Sequence, residues 1–165
     1  MKHWIWEEVV LRDIINESVE KWATFLIDKE LKNGNTGRTK HFSAAHKEKR
    51  AWNNALPKSE VLLWMKDGGA EVMQFNDFRE EILNNQPYSV PVAIAVERVL
   101  GKRQRLWDAD SINRGSKELI DSFVFHNILE DDNHKFVPWC VGYQDDTAKD
   151  NGPYTRVHFY RSEPR

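Results

Sequence analysis

The sequence predicts an α/β (α+β) fold, a single domain in which a mixed β-sheet is packed by helices. Its 165 residues are enough for one domain with a substantial core. A hydrophobic share of 40% and a charged share of 30% are typical of a soluble globular chain rather than a disordered one. Segments that alternate apolar and polar residues lie between segments of helical period. We therefore expect one domain over residues 1–165.

The first half of the chain contains one clear helix and several ambiguous segments. Residues 4–11 and 19–27 are candidate strands, but much of this region also fits a helix, since neither period dominates. The spacing from Ser43 to Leu56 predicts a helix that Ser43 caps and Pro57 ends. Further on, a short apolar run at 61–65 ends at Gly68-Gly69, and a second helix is expected over 77–83.

The second half of the chain predicts three strands. Ser89–Leu100 alternates Val and Ile with small residues, which favours a strand whose second face is closely covered by a helix. Lys135–Tyr143 reads as an edge strand because it contains Pro138. Tyr154–Tyr160 is the last strand, and the polar residues 144–152 before it predict a loop.

The stretch 107–133 carries the residues with the clearest chemistry. Asp108 and Asp110 form a carboxylate pair at its start, Lys117 and Asp121 are spaced as an i,i+4 pair, and an acidic cluster at 130–132 closes it. The apolar residues between the acidic ends recur at helical spacing: Ile112, Leu119, Ile120, Phe123 and Val124. One compact helix could fold the two ends together, which would create a divalent-cation site acting on phosphate.

A structural role is the alternative for the same acidic residues. Asp108, Asp110 and Ser111 are suited to capping a helix N-terminus, and residues 130–132 to a solvated turn. The spacing alone leaves both interpretations open, because short motifs also occur by chance.

The order of these residues resembles the signature of the RusA family of Holliday-junction resolvases. That signature reads D-x-D-N, a lysine, an aspartate four residues later, and D-D ten residues after that aspartate. Asp108-Ala109-Asp110, Lys117, Asp121 and Asp131-Asp132 follow the same order and keep the last two spacings. The longer step from Asp110 to Lys117 resembles phage-type relatives.

The resemblance covers roughly residues 34–160, but only the segment 108–132 is specific. Gly37-Arg38-Thr39 followed by Ser43-Ala44 looks like the basic turn of the family. Two departures stand out. Ser111 replaces the usual asparagine, and Asp28–Asn33 stands where the family has a proline-rich segment.

The resemblance implies a RusA-like fold with a core of about 19–160, a first strand at 19–27 and an elaboration at 57–89. It also implies Mg²⁺, with Mn²⁺ as an alternative ion. The ligands would be Asp108, Asp110 and Asp132, with Asp131 beside them. Lys117 would be catalytic with these ligands, and Asp121 and Ser111 would support the site, Asp121 by holding Lys117 in position.

Basic residues cluster in two stretches, although the net charge of −2 does not indicate a nucleic-acid-binding protein. Residues 38–50 carry five basic residues against one acid, and residues 98–105 carry four and no acid. Either stretch alone could be a solvated face, but together with an acidic core they favour phosphate contacts. The candidates for these contacts are Arg38, Lys40, Lys47, Arg50, Lys102, Arg103 and Arg105.

The composition also bears on the compartment. Cys140 is the single cysteine, which excludes an intramolecular disulfide and favours a reducing cytoplasm. Its apolar neighbours predict a core thiol rather than a nucleophile. No apolar run approaches membrane-spanning length and no signal-peptide pattern opens the chain, so we expect no membrane partner.

The resulting hypothesis is an Mg²⁺-dependent endodeoxyribonuclease that acts as a homodimer on four-way DNA junctions in recombination and repair. The resemblance places it in the cytoplasm of a bacterial or phage-infected cell. Two alternatives remain open: a non-catalytic protein that binds branched DNA, and a metal-dependent nuclease that acts on other branched DNA.

Overall fold

The computed structural model describes residues 19–33 and 42–162, which form six strands and three helices of seven residues or more. The strands are β1 (Val19–Ile27), β2 (Glu60–Trp64), β3 (Ala70–Gln74), β4 (Val92–Val99), β5 (Trp139–Asp145) and β6 (Tyr154–Ser162). The helices are α1 (Phe42–Ala55), α2 (Ala109–Gly115) and α3 (Lys117–Phe125). Shorter helical turns occupy Leu56–Lys58, Phe75–Asp77 and Phe78–Ile82.

The described strands form one mixed sheet in the order β3-β2-β1-β6-β4-β5. β4 and β5 are parallel, and the other neighbouring pairs are antiparallel. Parallel neighbours need a crossover connection, and the chain from β4 to β5 supplies it through α2 and α3. The expected α/β fold with a mixed sheet is therefore confirmed, and the segment 107–133 is the crossover itself.

The main core joins the sheet to the described helices. Phe25 of β1, Phe123 of α3 and Phe159 of β6 are fully buried, and their ring centroids lie 4.9–5.0 Å apart. Aromatic rings at such distances contribute beyond the area they bury. This cluster fixes α3, and with it the second half of the segment 107–133, against the sheet.

The opposite sheet face carries a buried polar network. His158 shares hydrogen bonds with Thr24 at 2.8 Å and with Glu97 at 3.2 Å, and Arg156 is paired with both Glu97 and Asp145. Buried polar groups need such partners, because an unpaired one loses its hydration without compensation. Asp145 was expected in a solvated loop, but it is 6% exposed and ends β5.

Several predicted elements are confirmed. Residues 19–27 are a strand, the helix predicted over 43–56 spans 42–55, and the last strand begins at Tyr154 as expected. Because α1 begins at Phe42, Ser43 lies inside the helix rather than at its cap. The apolar run at 61–65 and the glycines after it form the hairpin β2–β3, which adds two strands to the outer side of β1.

Other expectations were wrong. The single helix expected in the crossover is divided at Ser116 into α2 and α3. Ala93 and Ala95 pack with Tyr160 and with residues of β5, not under a described helix. Cys140 is exposed on the edge strand β5 rather than buried in the core. Desolvation of its sulfur still raises the pKa of the thiol to about 11, so it stays protonated at neutral pH.

Candidate active site

The acidic segment, residues 107–133, follows β4 after the loop 100–106. Asp108 has an extended backbone with φ −65° and ψ 150°, and it directly precedes α2. Its side chain makes no capping hydrogen bond, so the capping role considered above is not observed. Asp110 is exposed in the first turn of α2, whereas Ser111 is buried and its amide donates to the Asp108 carbonyl at 3.0 Å.

A glycine in β5 allows α2 to lie directly on the sheet. A Cβ atom added to Gly142 would be 2.3 Å from the Cγ2 atom of Ile112, which is too close for any larger residue. The Gly142 amide donates to the Asn113 side-chain oxygen at 2.8 Å. The position of Asp108 and Asp110 therefore depends on a close helix–strand contact that the sequence pattern did not reveal.

A second feature missed from the sequence precedes Asp108. The side chain of Gln144 hydrogen-bonds both backbone groups of Trp107, at 2.8 Å each. Residues 144–152 were expected to form a polar loop, but Gln144 belongs to β5. No short-range sequence signal links Trp107 with Gln144, because most of the crossover between β4 and β5 separates them.

The predicted Lys117–Asp121 pair is wrong. Asp121 is half-buried in α3 and pairs with Lys49 of α1, whose Nζ atom lies 3.4 Å from a carboxylate oxygen. Lys117 is exposed at the start of α3 and forms no ion pair with Asp121. The packing of α1 against α3 supplies a lysine from another element, which takes the place of the i,i+4 partner.

Asp121 also belongs to a groove between α1, α3 and the turn after α3. This acidic groove has a volume of about 360 Å³ and is lined by Lys49, Asn53, Asp121, Val124, Phe125, Asp131 and Asp132. Three carboxylates from the predicted site, Asp121, Asp131 and Asp132, therefore come together in the structure.

The carboxylates of the acidic groove interact with one another. Partial desolvation of the carboxyl group raises the pKa of Asp132 above its ordinary value of 3.8, although the residue as a whole is exposed. Hydrogen bonding and charge repulsion from Asp131 and Asp121 raise that pKa further. Asp131 in turn accepts a hydrogen bond from the Asp132 amide at 2.7 Å. The groove therefore holds a proton more tightly than a solvated aspartate does.

The remaining wall of the groove was not predicted. The side-chain oxygen of Asn53 is buried without a hydrogen-bond partner among the protein atoms described. The backbone carbonyl of Asn53 bonds to His126 at 2.8 Å, which ties α1 to the end of α3. Burial lowers the pKa of His126, so this histidine is neutral at pH 7. Phe125 is 68% exposed beside the carboxylates.

The two ends of the acidic segment are not assembled into a cage of ligands. Over residues 19–33 and 42–162, no group of three or more His, Cys, Asp or Glu side chains is arranged to hold a metal ion. Asp108 and Asp110 lie at the start of α2, whereas Asp131 and Asp132 lie in the turn after α3. The donors are nevertheless all carboxylate oxygens, which are the ligands that Mg²⁺ and Mn²⁺ prefer.

The candidate phosphate contacts fall into three groups. Lys47 and Arg50 are exposed on α1, and Lys102, Arg103 and Arg105 are exposed in the loop before Asp108. Lys102 also forms a solvent-exposed ion pair with Asp150 at 3.6 Å. Arg38 and Lys40, with the turn that contains them, lie outside the described residues, as do residues 4–11. Arg98, from the same basic stretch as Lys102, is 4% exposed and does not reach a surface ligand.

Comparisons with known proteins leave the family open. No family model matches the sequence, and no curated protein matches it. The structure is similar to that of the DegV family protein Cg2579 from Corynebacterium glutamicum, with a TM-score of 0.38 and 12% identity. The likeness covers 88% of this chain and 48% of that one, so the chain spans about half its length. A likeness this weak carries no functional conclusion.

The described part of the chain also bears on membrane association. No helix among these residues is long and apolar enough to cross a membrane.

Proposed function

We propose that this chain is an Mg²⁺-dependent endodeoxyribonuclease that resolves four-way DNA junctions by paired phosphodiester hydrolysis. The observation that carries the proposal is the acidic groove, where Asp121, Asp131 and Asp132 meet beside Lys49 of the basic helix α1. These acids are widely spaced members of the RusA-like pattern. The structure brings these three acids into one groove, which a shared cation site requires.

The donor set fits a hard divalent cation. Mg²⁺ is usually bound by one or two carboxylates together with waters and substrate phosphate, so a preformed cage of three side chains is not required. Asp108, Asp110 and Asp132 would hold the ion, with Asp131 beside them and Mn²⁺ as an alternative ion. When bound, the ion would polarise the scissile phosphate and lower the pKa of an attacking water.

The other residues of the site have separate roles in this proposal. Lys117 is exposed at the start of α3 and offsets negative charge on the phosphate as the 3′ oxygen leaves. Asp121 holds Lys49 rather than Lys117. Because the pKa of Asp132 is raised, protons compete with a cation for this carboxylate more strongly than at a solvated aspartate, which makes cation binding weaker at acidic pH.

The basic surfaces would bind the DNA backbone. Lys47 and Arg50 on α1 lie on the helix that borders the acidic groove, and Lys102, Arg103 and Arg105 immediately precede Asp108. Phosphate contacts position DNA without reading its sequence, which suits recognition of a junction by shape. A homodimer would match the two-fold symmetry of the junction and supply one site for each nicked strand. The compartment that follows is the cytoplasm of a bacterial or phage-infected cell.

The direct test is incubation of the purified protein with a labelled four-way junction and a linear duplex of the same sequence, in Mg²⁺ and in EDTA. The proposal requires paired nicks in the junction that depend on Mg²⁺ and are absent from the duplex. Preferential cutting of flaps or forks would instead indicate a nuclease for other branched DNA. Binding without cutting in both Mg²⁺ and Mn²⁺ would indicate a non-catalytic DNA-binding protein.

A further inference from the structure

Gln144 contacts the backbone immediately before Asp108 at two points. Its side-chain oxygen accepts a hydrogen bond from the Trp107 amide, and its side-chain nitrogen donates to the Trp107 carbonyl, at 2.8 Å each. This is the pattern that a neighbouring strand would form, supplied here by one side chain. Residue 107 lies outside the described strands, so the contact substitutes for sheet pairing.

Arg98 completes the arrangement. It faces Gln144 in the parallel pairing of β4 and β5 and donates to the Gln144 side-chain oxygen at 2.8 Å. The same guanidinium nitrogen donates to the carbonyl of Arg105 at 2.9 Å. Its guanidinium carbon lies 3.5 Å from the centre of the Trp107 ring. A planar guanidinium is suited to such stacking, and lysine is not.

Arg98, Trp107 and Gln144 form a clamp whose location links it to Asp108. It lies at the carboxyl ends of β4 and β5, the parallel pair, which is where ligands of open α/β sheets bind. The Trp107 carbonyl belongs to the planar peptide that joins Trp107 to Asp108. Fixing both backbone groups of Trp107 therefore fixes where the Asp108 Cα atom stands.

Among residues 19–33 and 42–162, the side chain of Asp108 has no comparable anchor. It makes no capping hydrogen bond to α2 and is exposed. A metal ligand that lacks partners must be oriented through its backbone, and small misplacements of such a group are costly in catalysis.

We propose that Gln144 and Arg98 are positioning residues that hold Asp108 in place for cation binding through the backbone of Trp107. This inference rests on the proposed nuclease function, because Asp108 is treated as a ligand. Neither residue touches DNA or cation in this account. Their effect is on the affinity and placement of the ion.

Two substitutions of Gln144 separate the contacts. Gln144→Leu keeps a side chain of similar size but removes both hydrogen bonds to Trp107 and the acceptor of Arg98. Gln144→Glu keeps the acceptor for the Trp107 amide and strengthens the partner of Arg98, but it loses the donor to the Trp107 carbonyl. Gln104→Leu is the matched control, since Gln104 binds the Gly101 amide at the other end of the same loop and does not contact Trp107.

Three readouts test the proposal: the Mg²⁺ concentration for half-maximal junction cleavage, junction affinity in EDTA, and Mn²⁺ affinity without DNA. In Gln144→Leu we expect the required Mg²⁺ to rise about 10- to 100-fold, as for loss of an outer-shell partner. Mn²⁺ affinity should fall in parallel, while junction affinity in EDTA stays unchanged. Gln144→Glu should fall between wild type and Gln144→Leu, and Gln104→Leu should match wild type.

Exchange of the Trp107 amide, measured by NMR, provides a structural readout in each folded variant. Faster exchange in Gln144→Leu, together with the loss of cation affinity, supports the positioning role. A Gln144→Leu protein with wild-type Mg²⁺ and Mn²⁺ dependence would overturn it while leaving the nuclease proposal intact. If the wild-type protein binds no Mn²⁺ and cuts no DNA, both proposals fail. If Gln144→Leu does not fold, Gln144→Glu decides on the same criteria.

Discussion

The two ends of the acidic segment are held in contrasting ways. At the first end, Asp108 and Asp110 are exposed, and their helix is placed through neutral backbone contacts with Gly142 and Gln144. At the second end, partial desolvation of the Asp132 carboxyl group and its direct interaction with two other carboxylates raise its pKa. One end is rigidly placed and open to solvent, whereas the other is crowded and protonates easily.

This difference indicates that the two ends would contribute differently to cation binding in the proposed site. The carboxylate pair at the start of the anchored helix α2 is exposed and open to a cation from solvent. Carboxylates crowded in a groove repel one another, and binding of a proton or a cation relieves that repulsion. A cation that reached both ends would gain ligands from the first and relieve repulsion at the second.

The largest expected effect comes from removing a proposed ligand at the anchored end. Asp110→Asn should reduce junction cleavage by more than about 100-fold, since loss of even an outer-shell partner costs about 10- to 100-fold. Gel assays under single-turnover conditions would measure it. Asp146→Asn, a change at an exposed acid outside the site, serves as the control and should retain full activity. Wild-type cleavage by Asp110→Asn would remove Asp110 from the site.

The next effect tests whether the placement of α2 matters separately from its ligands. Gly142→Ala forces Ile112 and α2 away from β5, and overpacking of this kind costs about 1–3 kcal/mol of unfolding free energy. Junction cleavage should fall because α2 is displaced. The pKa of Asp132, measured by NMR, should stay raised because the acidic groove is untouched. Gly69→Ala, in the exposed β2–β3 turn, is the control for stability. Unchanged stability and cleavage in Gly142→Ala would show that the position of α2 does not matter.

A smaller effect, on stability, should appear at the crowded end. The folded state binds the Asp132 proton more tightly than the unfolded state does, so the contribution of Asp132 to the unfolding free energy is fully present below the ordinary pKa of 3.8. That contribution is lost as the pH rises through the raised pKa of the folded protein. Asp132→Asn should lack this loss and be at least as stable as wild type at pH 7, although inactive. Urea unfolding from pH 4 to 8 would show it, and parallel curves for the two proteins would contradict the assignment.

The smallest expected effect concerns the lysine that borders the groove. The Lys49–Asp121 pair is partly exposed, so Lys49→Ala should change stability by no more than about 1 kcal/mol. If Lys49 contacts phosphate, the slope of log affinity against log salt for junction binding should fall by about 1. Lys66→Ala, at the exposed tip of the outer hairpin, should leave that slope unchanged. Equal slopes for both variants would remove Lys49 from the DNA surface.

The sequence predicted those features that depend on local pattern. The period of residues 43–56 located α1, and the alternation in β4 and β6 located two central strands. The order and spacing of the acids indicated which residues to consider together. Lys49 could not be paired with Asp121 in advance, because both Lys117 and Lys49 are suitable partners and only the packing of α1 on α3 selects one.

The positioning contacts were also beyond local patterns. Gly142 lies in a strand with no turn signal. Its role, leaving room for Ile112 of α2, depends on a packing contact that the sequence does not reveal. Gln144 is one polar residue at the start of a polar stretch, and nothing in its neighbours indicates that it binds Trp107. Cys140 was assigned to the core from its apolar neighbours, which do not reveal that β5 lies at the sheet edge.

The most direct test of the account is a crystal structure of the protein with Mn²⁺, located by its anomalous scattering. We predict a Mn²⁺ ion that contacts Asp108 or Asp110 at the anchored end and Asp132 at the crowded end. An ion confined to one end, or no bound ion at Mn²⁺ concentrations that support junction cleavage, would contradict the claim that the two ends form one site.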